Sequence, residues 1–224
     1  MIIGIPSEIK SGEQRVAMSP VNVQSLTDKG IKVLFQTHAG AAAGYPDDEY
    51  KAAGATISAD RAEIFAQADI ILQVQSFGSN NDNSEADLAA LRSGQLVVGM
   101  MDPLASPQAA QAVAEKGATA IALGLVPRIS RAQSMDVLSS MATLAGYKAV
   151  LMGASAAPRI FPMLMTAAGT LQPARVLIMG VGVAGLQACA TAKRLGAVVE
   201  AYDVRPAARE QIISVGAKPI ELDL

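Results

Sequence analysis

Three glycines, an acid and an arginine form the part of this chain best suited to hold a ligand. Gly180, Gly182 and Gly185 make a GxGxxG pattern that follows a short apolar run, 175–179; an Ala-rich helical stretch and a second apolar run, 197–201, then lead to Asp203, Val204 and Arg205. Strand, glycines, helix, strand and acid in that order are the parts of a dinucleotide-binding βαβ unit, with the acid about 20 residues beyond the glycines. Each residue type has a physical task. Gly180 makes the tight turn, Gly182 lets the backbone approach a pyrophosphate, and Gly185 lets helix and strand pack closely. Unpaired N–H groups at the helix start, around Val183 and Ala184, face the phosphates. Asp203 is placed to accept hydrogen bonds from the adenosine ribose hydroxyls, and its charge repels a 2′-phosphate, which favours NAD over NADP. Arg205 has two readings: a guanidinium that accommodates that phosphate, or a solvent-facing residue at a helix start.

Other chemistries find little support. One cysteine and one histidine cannot build a conventional zinc site, and no acidic cluster has calcium-loop spacing. No GxSxG elbow accompanies His38, which reads as a partly exposed loop residue. Cys189 falls in the helix after the glycines and reads as a small core residue in a reducing compartment. With 18 basic and 20 acidic residues, scattered and summing to a net charge of -2, there is no electrostatic case for nucleic acid.

The elements that must position these residues follow from the apolar rhythm. Runs at 2–5, 31–35, 70–74, 96–100 and 119–123 read as strands, separated by helices whose starts are marked by Ser19 with Pro20 and by Ser106 with Pro107. Alternating strands and helices indicate an α/β domain with a mainly parallel sheet. The polar segment 76–84 reads as a surface loop. From Ser134 a helical stretch runs to about Met152. The apolar segment 135–157 contains Asp136 and Lys148, and reads as a buried amphipathic helix rather than a membrane span. Met1 leads straight into an apolar run without a basic region, so no signal peptide is expected. The division is therefore 1–133 as a first α/β domain, 134–171 as a connecting helical segment and 172–224 as a nucleotide-binding domain. A doubly wound domain has two βαβαβ halves. This chain stops at 220–224 in what reads as the third strand, so the second domain is expected to be cut short and the chain by itself inactive.

The segments GIPSEIKSGEQRVAMSP, GLVPRISRAQSMDVLSSMATLAGYKAV and GVGVAG with AYDVR together resemble the NAD(H)-binding domain I, in the α subunit, of the proton-translocating nicotinamide nucleotide transhydrogenases. The resemblance covers essentially all 224 residues. It implies two Rossmann-like or flavodoxin-like parallel-sheet domains joined by a long helix, NAD(H) as bound nucleotide, and direct hydride exchange with NADP(H) held by a partner domain. It further implies a membrane domain and an NADP(H)-binding β subunit as partners, a homodimer of the complete domain, and a cytoplasmic position peripheral to the inner membrane. Arg128, Gln133, Asp136 and Ser139 are implied to serve the hydride step. Arg128 and Asp136 would fix the carboxamide, while Gln133 would reach toward the second nucleotide. Ile129, Ser134 and Met135 complete the loop over the nicotinamide.

The same two-domain fold is shared by alanine dehydrogenase, whose pattern supplies an N-terminal arginine, a lysine at a strand end and a histidine after the next strand. Arg15 matches. Gln75 stands where the lysine is expected and Asp102 near where the histidine is expected, which argues against oxidation of an amino acid. Arg15 is then expected to pair with Glu8 or Glu13. A non-catalytic NAD-binding fragment is the third reading.

Overall fold

The computed structural model describes residues 1–80 and 84–221. It contains two compact units, Met1–Met135 and Asp136–Leu224.

In the first unit six strands form one parallel sheet: β1 (Ile2–Ile5), β2 (Lys32–Gln36), β3 (Thr56–Ser58), β4 (Ile70–Gln75), β5 (Leu96–Met100) and β6 (Thr119–Ala122). Their order is β3-β2-β1-β4-β5-β6, so the winding reverses between β1 and β4. Helices α1 (Pro20–Thr27), α2 (Asp47–Ala52), α3 (Arg61–Gln67), α4 (Glu85–Ala90) and α5 (Pro107–Glu115) connect them. The apolar runs of β1, β2, β4 and β5 carry the buried residues that a two-faced parallel sheet requires, whereas edge strand β6 is mostly exposed. Ile5, Ile71 and Val97 are fully enclosed, as are Ile64 and Phe65 from α3. Ser19 and Ser106 are N-caps followed by proline, as expected, although neither side chain makes a capping hydrogen bond. Here proline's preset φ and missing donor start the helix.

The segment after β4 corrects the surface-loop expectation. Ser76, Phe77 and Asn80 are buried, in a turn that stays hydrogen-bonded to the end of β5: the Ser76 N–H donates to the Met100 carbonyl at 2.9 Å and the Ser79 hydroxyl to the same oxygen at 2.6 Å. Residues 81–83 of that stretch lie outside the described residues.

The carboxyl end of this sheet is tied together by one guanidinium. Arg61 donates to both oxygens of Asp87 at 2.6 Å, to the Ser7 carbonyl at 2.7 Å and to Gln36 Oε1 at 3.2 Å. Gln73 adds a donor to Asp87 at 3.1 Å. The arrangement joins the ends of β1, β2 and β4 to α3 and α4.

The second unit opens with α6 (Val137–Ala156), then an antiparallel hairpin, β7 (Leu164–Thr166) with β8 (Gly169–Leu171). A parallel sheet of order β11-β10-β9 follows, built from β9 (Arg175–Met179), β10 (Val198–Tyr202) and β11 (Lys218–Pro219), with α7 (Val183–Arg194) and α8 (Ala208–Ser214) between its strands. The third strand thus precedes the predicted 220–224, of which 222–224 lie outside the described residues. Its core joins Val181, Cys189, Ala192, Ala201 and Ile212. Burial pushes the Cys189 thiol up, in keeping with a packing role.

Helix α6 departs from the buried reading. Among its residues only Gly146 and Val150 are buried, and Leu144, Tyr147 and Met152 are exposed. Its apolar side chains are distributed around the whole axis instead of forming one stripe, so packing one face on α7 leaves the others uncovered. By length and composition alone it is long and apolar enough to cross a membrane. The contact with α7 is backbone to backbone: a Cβ at Gly146 would lie 2.1 Å from the Ala184 carbonyl oxygen.

Asp87→Ala should destabilise the protein by about 3–5 kcal/mol, because it leaves Arg61 charged, largely enclosed and without its bidentate partner. Urea denaturation measures this directly, and a loss below about 1 kcal/mol would show that the network is dispensable.

Candidate functional site

At the carboxyl end of β9 the chain makes the turn that its glycines allow. The Gly180 N–H donates to the Tyr202 carbonyl at 2.8 Å, and Gly180 has φ +87°, in the left-handed region. A Cβ at Gly185 would stand 2.0 Å from the Gly180 carbonyl oxygen, so only glycine lets α7 start this close to the turn. Gly182 is the N-cap residue of α7. Nothing lies within 4 Å of where its Cβ would be, which leaves the approach to the first N–H groups of this 12-residue helix open. Those groups and the helix dipole favour an anion there.

Asp203, just past β10, closes the same turn from the other strand. Its Oδ2 accepts from the Val181 N–H at 2.7 Å and from Arg205 Nη2 at 3.1 Å; its Oδ1 accepts from the Arg205 N–H and Nε, both at 2.9 Å. The Arg205 guanidinium holds the Asp203 carboxyl far below the usual carboxylate range, with the backbone donors of Arg205 and Val181 adding to the effect. Arg205 is solvent-exposed, the second of its two readings, and it is also ion-paired. It remains accessible, yet its guanidinium is folded back onto Asp203 and the Val181 carbonyl, 3.0 Å away.

The loop residues lie on both sides of the division between the units. Arg128, Ile129, Gln133, Ser134 and Met135 are exposed and belong to the end of the first unit, where 130–135 form 3-10 turns around buried Ala132. Asp136 and Ser139 begin the second. Asp136 accepts from the Ser139 N–H at 2.9 Å and from its hydroxyl at 2.6 Å, which makes Asp136 the N-cap of α6 and moves the start of the long helix from Ser134 to Val137. Two of the four residues assigned to the hydride step are therefore within hydrogen-bond distance of each other.

At the carboxyl end of β4 a second polar cluster forms. Arg15 donates to Glu13 through Nε at 2.7 Å and Nη2 at 2.5 Å, fulfilling one of its two expected pairings, and Gln75 Nε2 donates to Glu13 at 3.1 Å. Glu8 instead accepts the N–H groups of Val74 and Gln75, at 2.6 and 2.9 Å. The Arg15 side chain beside Glu13 holds its carboxyl down to about 2, against the opposing effect of burial. Burial outweighs the two backbone donors at Glu8 and raises that carboxyl above its ordinary value. Asp102 accepts the Ala105 N–H at 3.2 Å in a turn. His38 is an exposed loop residue, as expected, held at φ +62° with its N–H donating to Asp47 at 2.8 Å. Among the described residues no cluster of three metal-ligating side chains occurs.

Known proteins share both the sequence and the fold of this chain. The family described as alanine dehydrogenase/PNT, N-terminal domain, matches residues 4–145, and the alanine dehydrogenase/PNT C-terminal domain matches residues 149–223. A Rhodospirillum rubrum protein named as the first part of NAD(P) transhydrogenase subunit alpha is 48% identical over 223 residues, covering 100% of this chain and 58% of that protein. Alanine dehydrogenase of Mycobacterium tuberculosis is 33% identical over 207 residues, 91% of this chain and 54% of that protein. A transhydrogenase structure from Sinorhizobium meliloti superposes with a TM-score of 0.92 at 47% identity, over 100% of this chain and 62% of that one. An L-alanine dehydrogenase structure gives 0.82 at 26% identity, over 98% and 60%. The chain thus spans between 42% and 58% of the length of the curated relatives it matches.

The Glu13 pair carries a pH signature. A carboxyl lowered from 4.5 to about 2 contributes stability that is complete above the higher value and is lost as pH falls through the lower one. The stability difference between wild type and Glu13→Gln, read from urea midpoints, should widen from about pH 2.5 to about pH 5 and then level off. An offset that does not change across that range would detach the stabilisation from Glu13 ionisation.

Proposed function

The chain belongs to the alanine dehydrogenase/PNT family, and from that membership we propose that it is the NAD(H)-binding part of a proton-translocating NAD(P) transhydrogenase, passing hydride directly between NAD(H) and NADP(H) held by a partner domain. The observation that carries the choice within the family is at β4. Gln75, an amide, occupies the strand end where an amino-acid dehydrogenase needs a cation, and it donates to Glu13, which already holds Arg15. With Asp102 engaged in a turn and Glu8 held by two backbone N–H groups, the cluster lacks the lysine and the histidine that the dehydrogenase pattern supplies for a carboxylate clamp and an acid–base step.

Hydride exchange between two nicotinamides moves no hydroxyl or amine proton. It requires two C4 atoms held in register and water excluded. The GxGxxG turn and Asp203 take the adenosine and pyrophosphate end of NAD(H), with Val183, Ala184 and Val204 beside them. Arg128 and Asp136 fix the carboxamide, Ser139 orients Asp136 through their hydrogen bond, and Gln133 faces the second nucleotide, with Ile129, Ser134 and Met135 around the ring. Bound NAD(H) supplies the hydride; these side chains bind, orient and shield it.

We propose the division 1–133, 134–171 and 172–224 for the nucleotide-binding subunit, whose partners are the membrane domain and the NADP(H)-binding β subunit. It sits in the cytoplasm against the inner membrane through those partners. Pairing with a second copy is supported by the apolar surface that α6 and the β7–β8 hairpin leave exposed, including Leu144, Tyr147, Met163 and Met165.

In the assembled enzyme, Gln133→Asn should reduce the hydride-transfer rate by about tenfold or more while changing NADH affinity little, since one methylene withdraws the amide from the second nucleotide. Stopped-flow turnover beside NADH titration separates the two effects, and an unchanged rate removes Gln133 from the step. Alanine-dependent NADH formation by the complete protein would overturn the choice of transhydrogenase over dehydrogenase.

A further inference from the structure

A carboxylate offers about four lone-pair positions, and those of Asp203 are all taken. Val181 N–H, Arg205 N–H, Arg205 Nε and Arg205 Nη2 lie 2.7, 2.9, 2.9 and 3.1 Å from its oxygens. A ribose diol that binds there has to replace a donor. Two of the four donors are backbone groups, whose departure would open the glycine turn or the end of β10. The remaining two belong to the Arg205 guanidinium, which lies over the carboxylate: the Arg205 side chain is 59% exposed and that of Asp203 only 7%.

The guanidinium also borders a cavity of about 380 Å³ lined by Asp203, Arg205, Arg209, Ile212, Pro219 and Glu221, among others. Arg209 there is ion-paired with Glu221, so both cations of the cavity face an anion. A phosphate monoester, bringing between one and two negative charges, meets no unneutralised cation in it. Arginine is otherwise the side chain best shaped for phosphate, through its fork of donors.

We propose that Arg205 is a specificity-determining residue of the adenosine site: held on Asp203 it is displaced by a ribose diol but withheld from a 2′-phosphate, and released from Asp203 it becomes a phosphate receptor. The inference rests on the reading of residues 180–205 as an NAD(H) site. It assigns NADP(H) exclusion to a pair of residues, with Asp203 acting both by its own charge and by sequestering Arg205.

The test is fluorescence titration of the complete protein with NADH and NADPH. Wild type should bind NADH and discriminate against NADPH. Asp203→Ser should bind NADPH tighter than wild type does by about tenfold or more, the scale of a charge-assisted hydrogen-bond pair. Asp203→Ser combined with Arg205→Ala should lose that gain, whereas Arg205→Ala alone should leave NADPH binding weak. A folded Asp203→Ser protein with no NADPH gain overturns the proposal, and so does a gain that survives removal of Arg205, because relief of repulsion alone would then account for it. If Asp203→Ser does not fold for want of an acceptor for the Val181 N–H, Asp203→Asn keeps one and is judged by the same outcomes. Wild type that binds neither nucleotide would overturn the underlying site assignment and the proposal with it, whereas NADH binding without the Arg205-dependent gain overturns the proposal alone.

Discussion

Helix α7 is gripped between two backbones, and the second unit is arranged around that grip. On one side its first turn meets the Gly180 carbonyl where Gly185 has no side chain; on the other, Gly146 of α6 meets the Ala184 carbonyl. The two would-be Cβ atoms come within 2.0 and 2.1 Å of those oxygens, far inside van der Waals contact, so a side chain at either glycine would force backbone to shift. Adjacent residues of α7, Ala184 and Gly185, are thus each held by a close backbone approach. This fixes where the helix begins and hence where its first N–H groups point. The same α6 that makes this contact has Asp136 and Ser139 at its own start, so the glycine turn and the capping pair share one rigid support.

Side chains perform the equivalent task in the first unit. Arg61 ties the carboxyl ends of β1 and β2 to α3 and α4, and Gln73 of β4 joins through Asp87, in the crevice region where open parallel sheets usually bind ligands. Here that region is occupied by the protein's own polar groups. Arg61 faces Asp87 and Arg15 faces Glu13, while in the second unit Arg205 faces Asp203. Pairing of this kind lowers the carboxyl of Glu13 and leaves few charges available for a substrate acid. Glu8 is raised instead, since it is satisfied by backbone donors and pays for burial without a directly bonded cation.

The alternation of apolar runs and helical segments is enough to place five of the six strands of the first sheet and two of the three in the second, within a residue of their bounds. Strand β3 escapes that pattern because Thr56–Ser58 is too short to show a period, and the β7–β8 hairpin because Met163, Leu164 and Met165 read as part of a connection. The buried status of Ser76 and Asn80 goes with a turn hydrogen-bonded to the end of β5, a long-range fact that polar composition conceals. Near the nucleotide turn, GxGxxG and the acid are legible as residue types at a known spacing. That Asp203 binds Val181 and folds Arg205 back is not, since 22 residues separate the carboxylate from that amide. Within the DVR triplet itself, an acid and an arginine two residues apart at a strand end is the available signal for the pair. The cap on α6 is ambiguous in the sequence for a related reason: Ser134 and Asp136 are both good cap types, and only the 3-10 turns through Met135 decide between them.

Cys189, the single cysteine in the sequence, is enclosed in the second core with its thiol shifted away from reactivity at neutral pH. The thiolate is the species that alkylating reagents attack. The native chain is therefore already a quiet background for spectroscopic labelling: a cysteine placed on the exposed 128–135 stretch would react with a maleimide dye or spin label far faster than Cys189. Movement of that stretch could then be followed in a protein whose own thiol needs no replacement.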